Sequence, residues 1–234
     1  TVSSGGVLTL NGNTVTFNGT LPGSQIIDVG AVTFANVIFA ASTEICYKGG
    51  MTIGGTATIS SDTTIEDYFD DSSIAFTGAV NADSAASNRS LTIDAGNGTV
   101  DFASAIGNTQ ALGTLTVEAA TTHFHGAVTT RSGGITVTSP TQIRFDGAVS
   151  TAGTSTAGTF NVTGPVTLGG NVTITTDSTT DNNINFIGST STINGAYTLG
   201  LNASSGGSIT LGGAIGGSTT LTGLTITNSN GTTF

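Results

Sequence analysis

The chain has 234 residues and a formal net charge of −10, from 14 acidic and 4 basic residues, and only 8% of its residues are charged. This balance argues against nucleic-acid binding, since no basic patch is available to displace counterions from phosphates. The sequence contains no run of about 20 apolar residues, the length that a membrane-spanning helix requires. Its one cysteine, Cys46, can form no internal disulfide, and we expect it to be a small buried side chain.

Short alternating runs of Val, Ile and Thr recur along the whole chain, for example at 115–117 and 135–137. Such β-branched alternation predicts half-buried strands. The 35 glycines, with Asn and Ser, supply turns between them. No stretch has the 3.6-residue apolar period of a helix, so the chain is predicted to be all-β.

Strands with an inward-facing apolar residue repeat at intervals that average about 22 residues, which is typical of a solenoid coil. The predicted fold is a parallel β-helix, a right-handed β-solenoid of about 11 coils spaced by roughly 4.8 Å. The predicted structural core is a single inward row: Phe17, Phe34, Ile53, Phe76, Phe102, Phe124, Phe145, Leu168, Phe186, Leu211 and Phe234.

A longer repeat of about 110 residues spans approximately 8–114 and 115–224, with a partial third copy to 234. Phe76 matches Phe186, and Phe124 matches Phe234, in each case 110 residues later. We therefore predict one continuous solenoid over 1–234. Neither end carries a polar cap, which favours an excised window of a longer array, or a unit that self-associates end to end or laterally.

The densest acidic cluster contains two aromatic residues, Tyr68 and Phe69, between its acidic members. The preferred interpretation is a solvated loop. Calcium binding is the weaker alternative, and no other cofactor is expected; a pair of carboxylates acting on a glycan is weaker still. The acidic members are Asp62, Glu66, Asp67, Asp70 and Asp71.

His123 and His125 flank an inward phenylalanine, so strand alternation places both imidazoles on the outer face. Stacked coils would bring Asp101, Arg144 and Asp146 beside them. Zinc would need a third ligand, and the preferred interpretation is an exposed polar ladder in which each pair contributes about 0–1 kcal/mol.

The segment Ile143 to Val149 follows the motif [Val/Ile]-x-Phe-x-Gly-Ala-Val, and Leu-Gly-Thr-Leu-Thr-Val stands upstream at 112–117. This pattern resembles the β-strand repeats of giant bacterial exoproteins, the filamentous-haemagglutinin-like and autotransporter-type adhesins. The resemblance implies a secreted or surface-attached solenoid that acts in adhesion, biofilm matrix or filament building. The shared motif is structural, so no functional residue carries over.

The sequence as a whole favours an extracellular structural or adhesive β-solenoid over an enzyme, with no catalytic residues assigned. The expected partners are further copies of the chain and host or matrix glycans. The alternative is a carbohydrate-active β-helix that degrades or binds polysaccharide through the acidic loop. Scarce charge disfavours this alternative, because enzymes on this fold usually carry a charged groove.

Overall fold

A computed structural model describes residues 7–17, 25–28, 31–40, 43–67, 71–84, 86–151, 158–176 and 182–234. Within these ranges the chain forms 25 strands and no helix, and every strand pairing is parallel. The predicted all-β parallel solenoid is confirmed. Over the same ranges, no helix has the length and apolar character needed to cross a membrane.

The strands in chain order are β1 (Val7–Phe17), β2 (Gln25–Asp28), β3 (Ala31–Phe39), β4 (Thr43–Lys48), β5 (Met51–Ile53), β6 (Ala57–Ile59), β7 (Thr63–Asp67), β8 (Ile74–Phe76), β9 (Val80–Ala82), β10 (Ser90–Asp94), β11 (Thr99–Phe102), β12 (Leu112–Glu118), β13 (Thr121–Phe124), β14 (Val128–Thr138), β15 (Gln142–Phe145), β16 (Val149–Ser150), β17 (Phe160–Thr163), β18 (Val166–Leu168), β19 (Val172–Thr175), β20 (Ile184–Phe186), β21 (Ile193–Asn194), β22 (Thr198–Asn202), β23 (Ser208–Leu211), β24 (Gly223–Asn228) and β25 (Gly231–Thr233).

The strands stack into three columns that run along the solenoid axis. The first column contains the first halves of β1 and β3, then β5, β8, β11, β13, β15, β18 and β21. The second contains the second halves of β1 and β3, then β6, β9, the start of β14, β16, β19, β22 and β24. Within the described residues, the third column has ten strands: β2, β4, β7, β10, β12, the end of β14, β17, β20, β23 and β25. The number of coils is therefore slightly lower than the predicted eleven.

The core is built by inward side chains that lie directly over their equivalents in the next coil. Phe76, Phe102, Phe124 and Phe145 are paired in register, and their rings stack with centroid separations of 5.0, 5.2 and 5.1 Å. All four are at most 1% exposed. Burial of an aromatic ring contributes apolar area, and its contact with a second ring adds about 0.5–1.5 kcal/mol.

The predicted inward row is divided among the three columns. Phe34, Ile53 and Leu168 continue the first-column stack and are buried. Phe17 pairs with Phe39 in the second column and is partly buried. The remaining three members of the row, Phe186, Leu211 and Phe234, belong to the third-column strands or follow the last of them.

This division arises because, within the described residues, the second copy of the 110-residue repeat has one strand fewer between its matching segments. Met51 and Val166 both begin first-column strands in matching parts of the two copies. In the first copy β7 then fills the third column, and Phe76 begins the next coil. In the second copy, within the described residues, the strand that carries Phe186 fills the third column itself. Every later strand of the second copy consequently lies one side of the solenoid behind its counterpart: β10, for example, is in the third column, whereas β22 is in the second.

The assignment of Phe234 to a buried row is wrong. Its ring is 78% exposed. Its sequence counterpart Phe124, by contrast, is paired with a coil on either side and is 1% exposed.

We expect Phe124→Ala to lower the free energy of unfolding by about 3–5 kcal/mol, because the substitution leaves a cavity in a close-packed stack. Phe234→Ala is the matched control, and its effect should stay within about 0.5 kcal/mol, as for other exposed sites. Denaturant unfolding of the two variants beside the wild-type chain measures both values. Equal stability of the two variants would contradict the first-column stack.

Candidate functional site

The outward positions of the first column form a row in which charged side chains are concentrated. Along the axis, in register, the row contains Thr33, Thr52, Ala75, Asp101, His123, Arg144, Thr167 and Asn194. Three consecutive coils thus carry an acid, a histidine and an arginine, in a chain of which only 8% is charged. Together with His125 and Asp146, these residues form a cluster that we call the His–Asp cluster.

The two imidazoles of the cluster lie side by side on the outer face. The ring centroids of His123 and His125 are 3.5 Å apart and the rings are tilted by 31°. The carboxylate of Asp101, from the preceding coil, contacts one end of the pair. Its Oδ1 atom is 3.0 Å from His125 Nε2 and 3.6 Å from His123 Nδ1.

A second carboxylate contacts the opposite end of the imidazole pair. Asp146 Oδ2 lies 3.1 Å from His123 Nε2 and 3.6 Å from His125 Nδ1. The guanidinium of Arg144 donates from Nε to Asp146 Oδ1 at 2.7 Å. Burial opposes ionisation of Asp146, but the hydrogen bonds from Arg144 and His123 outweigh it and hold the pKa of Asp146 below its ordinary value.

Solvent access differs between the two ends of the cluster. The side chains of His123 and Asp146 are 21% and 19% exposed, whereas those of His125 and Asp101 are 41% and 35% exposed. The Asp146 end is therefore the more enclosed, and the Asp101 end opens to solvent. Among the described residues, one group of three or more potential metal-binding side chains has its ligand atoms close together, namely Asp101, His123 and His125, within 4.8 Å of one another.

A glycine in the following coil makes room for the Arg144–Asp146 pair. The backbone nitrogen of Gly169 donates to the carbonyl of Phe145 at 2.9 Å, which places Gly169 beneath this pair. A Cβ atom at position 169 would collide with Asp146 Oδ1 and with the guanidinium of Arg144. Four consecutive coils, β11, β13, β15 and the residue after β18, therefore shape the cluster.

The structure brings together all of the residues that the sequence placed beside the two histidines. Asp101 is in register with His123, and Arg144 follows in the next coil. The shortest carboxylate contacts are crosswise, however: Asp101 approaches His125 most closely, and Asp146 approaches His123. Sequence reasoning missed these diagonal contacts and the role of Gly169, for which its position directly after an inward leucine was the one available signal.

Two of the acidic residues that suggested calcium or catalysis, Asp62 and Asp71, accept hydrogen bonds from the next coil. Asp62 accepts a hydrogen bond from the backbone nitrogen of Ser90 at 2.9 Å. Asp71 accepts two from Asn97, both at 2.9 Å. Hydrogen bonds from Ser90 lower the pKa of Asp62, and those from Asn97 lower the pKa of Asp71.

The other members of that cluster are dispersed. Asp67 accepts from the backbone nitrogen of Ser72 at 2.6 Å, and Glu66 occupies an outward position of β7, opposite Asp94 in the next coil. Asp70 lies outside the described residues. Within the ranges that the structure describes, these acids do not assemble into a group of three converging ligands.

The thiol of Cys46 is fully buried in β4 and takes no part in the His–Asp cluster.

Comparisons with protein families, with curated proteins and with solved structures find no match to this chain. The resemblance to the bacterial adhesin repeats consequently remains a proposal.

The low pKa of Asp146 should depend on Arg144. We expect the pKa of Asp146, followed by NMR of its carboxyl carbon, to rise toward its ordinary value of 3.8 in Arg144→Gln. Because the folded-state pKa is depressed, the ionised carboxylate stabilises the fold above the unfolded-state pKa. That contribution, on the order of 1 kcal/mol or less for such partly exposed pairs, is lost as the pH falls through the folded-state pKa. An unchanged titration of Asp146 in the variant would contradict the pairing.

Proposed function

We propose that this chain is a segment of an extracellular structural or adhesive β-solenoid, secreted or displayed at a bacterial cell surface. Its role there is to form a stiff rod in an adhesin, a biofilm matrix or a self-assembling filament. The observation that carries this proposal is the continuity of the core, because each coil is joined to the next by parallel strand pairing in three columns.

Stiffness follows from the way the coils share their core. A single coil buries almost nothing alone, whereas stacked coils bury a continuous line of rings and aliphatic side chains. The stack from Phe76 to Phe145 has nearly parallel rings, with interplanar angles of 11°, 3° and 5°. Bending the rod would open these contacts and the strand hydrogen bonds together. Few local segments can then open for a protease to cleave.

The outer face of the third column offers a row of hydroxyl and amide side chains, which lies beside a shorter acidic row formed by Glu66, Asp94 and Glu118. Asn185 Nδ2 donates to Asn161 Oδ1 at 2.9 Å in the preceding coil. Hydroxyl and amide groups in a straight row suit contact with the hydroxyl groups of a glycan, or with the same face of a second copy. The row contains Thr64, Thr92, Thr116, Thr136, Asn161, Asn185, Thr210 and Thr233, paired in register.

The carbohydrate-active alternative has less support from the acidic loop. Hydrolysis of a glycoside requires one carboxylic acid that stays protonated, which means a raised pKa. The pKa values of Asp62 and Asp71 are shifted in the opposite direction by hydrogen bonds from the neighbouring coil. Glycan binding without turnover therefore fits these groups better than hydrolysis.

Electron microscopy of the purified chain tests the structural proposal. We expect rods about 50 Å long, from about ten coils at roughly 4.8 Å each, or fibres whose length is a multiple of this unit. Limited proteolysis should leave the stacked strands intact under conditions that digest an unfolded control of the same composition. Compact globular particles that are digested rapidly would contradict the proposal.

An assay for release of reducing ends from uronic-acid and neutral polysaccharides tests the enzymatic alternative. We expect no release above that of a heat-denatured sample, and retention on a glycan array without turnover is compatible with the adhesive role. Release that disappears in the Asp62→Asn, Asp71→Asn double variant would replace the structural proposal with the enzymatic one. Thr92→Ala, a change on the polar row, is the control for a general surface effect.

A further inference from the structure

We propose that Asp101, His123 and His125 form a binding site for a divalent transition metal, with Zn²⁺ as the best fit. The proposal does not depend on the adhesive role of the rod. It rests on the placement of one carboxylate and two imidazoles, from two adjacent coils, at the solvent-open end of the His–Asp cluster.

The two separations between the carboxylate oxygen and the imidazole nitrogens are close to those of a tetrahedral zinc site. Zinc binds imidazole nitrogen and carboxylate oxygen at about 2.0–2.2 Å, so neighbouring ligand atoms of a tetrahedron are about 3.3 Å apart. Asp101 Oδ1 is 3.0 Å from His125 Nε2 and 3.6 Å from His123 Nδ1, which brackets this value. Small side-chain rotations would equalise the two distances and direct the nitrogen lone pairs to a common point.

The second carboxylate holds the imidazoles in the orientation that metal binding needs. Asp146 Oδ2 is 3.1 Å from His123 Nε2, and because an ionised carboxylate can only accept, this hydrogen bond selects the tautomer with the proton on Nε2. The lone pair of His123 is then on Nδ1, the atom that faces Asp101. A carboxylate that accepts the other N–H of a ligating histidine fixes its tautomer and raises its basicity.

The positive charge of Arg144 does not prevent a cation from binding nearby, because Arg144 is paired with Asp146. Its guanidinium is paired with Asp146 Oδ1 at 2.7 Å, so its charge is offset and its side chain is held at the Asp146 end of the cluster. The absence of a side chain at Gly169 leaves the space that the pair occupies. The cation would bind on the opposite side, next to the more exposed Asp101 and His125.

The ligand set selects among metals. Imidazole nitrogens favour Zn²⁺, Cu²⁺ and Ni²⁺, whereas Ca²⁺ and Mg²⁺ require a shell of oxygen atoms. Three protein ligands leave a fourth tetrahedral position for water at the solvent-open end. In the free cluster the contact of His125 Nε2 with Asp101 is a hydrogen bond, and metal binding replaces its proton.

Isothermal titration of the full, chelator-treated chain with ZnCl₂ tests the proposal. We expect one saturable site with a micromolar Kd, weakened at least tenfold in His125→Ala and in Asp101→Ala. Asp94→Ala, which removes an acid from a neighbouring strand of the same coil region, is the matched control and should bind as the wild-type chain does. A circular dichroism melt of each metal-free variant establishes that it is folded.

A spectroscopic measurement distinguishes direct coordination of the metal from non-specific attraction of a cation to acidic side chains. Co²⁺ bound in the site should give the visible absorption of tetrahedral coordination, and Zn²⁺ should remove it, whereas excess CaCl₂ should not. Asp146→Asn should weaken Zn²⁺ binding by about 10- to 100-fold while the tetrahedral spectrum persists, as for other residues that orient a metal ligand. The proposal is overturned if no saturable Zn²⁺ binding occurs below millimolar concentration. Equal affinity in the wild-type chain and His125→Ala would also overturn it, as would equal weakening in Asp94→Ala.

Discussion

The fold depends on the register in which each coil pairs with the next. Side chains alternate between the two faces of a strand, so a slip of one residue would turn every inward ring outward. Phe102 lies opposite Phe76 on one side and Phe124 on the other, and parallel pairing keeps all three inward. The same register that builds the core also aligns the outward side chains into rows along the axis.

The class of fold could be predicted because two short-range patterns agree, the alternation within strands and the recurrence of about 22 residues between them. The side of the solenoid that each segment occupies could not. Leu91–Ala95 and Leu199–Ala203 are similar in sequence, yet the strand in the first lies in the third column and that in the second lies in the second column. Similar sequence indicates which residues of a segment face inward. The column that the segment occupies depends instead on how many strands precede it.

The turns between strands depend on local sequence and have the same geometry at different corners of the coil. Gly107 and Gly216 follow the same Ala-Ile pair and have nearly equal backbone φ values of 69° and 70°. Each donates its backbone N–H at 2.7 Å to the preceding coil, Gly107 to Val80 and Gly216 to Ile193. A glycine in the left-handed backbone region forms the same turn on any side of the solenoid. The second copy can therefore be displaced by one side and still keep its inward residues in the core.

The His–Asp cluster was predictable to the extent that it depends on the backbone. Alternation and register placed Asp101 and Arg144 in line with His123, but the diagonal approach of Asp101 to His125 depends on how side chains lean along a strand. The space left by Gly169 depends on how four coils stack, and the position of this glycine after an inward leucine does not by itself reveal which side chains occupy that space. The row positions on either side of Asp101, His123 and Arg144 hold Ala75 and Thr167, so substitution of outward residues suffices to convert a neutral row into one that carries acidic and basic groups. Because backbone strand pairing and the inward side chains join these coils without the outward charged groups, such a site can arise, change or disappear without altering the rod that carries it.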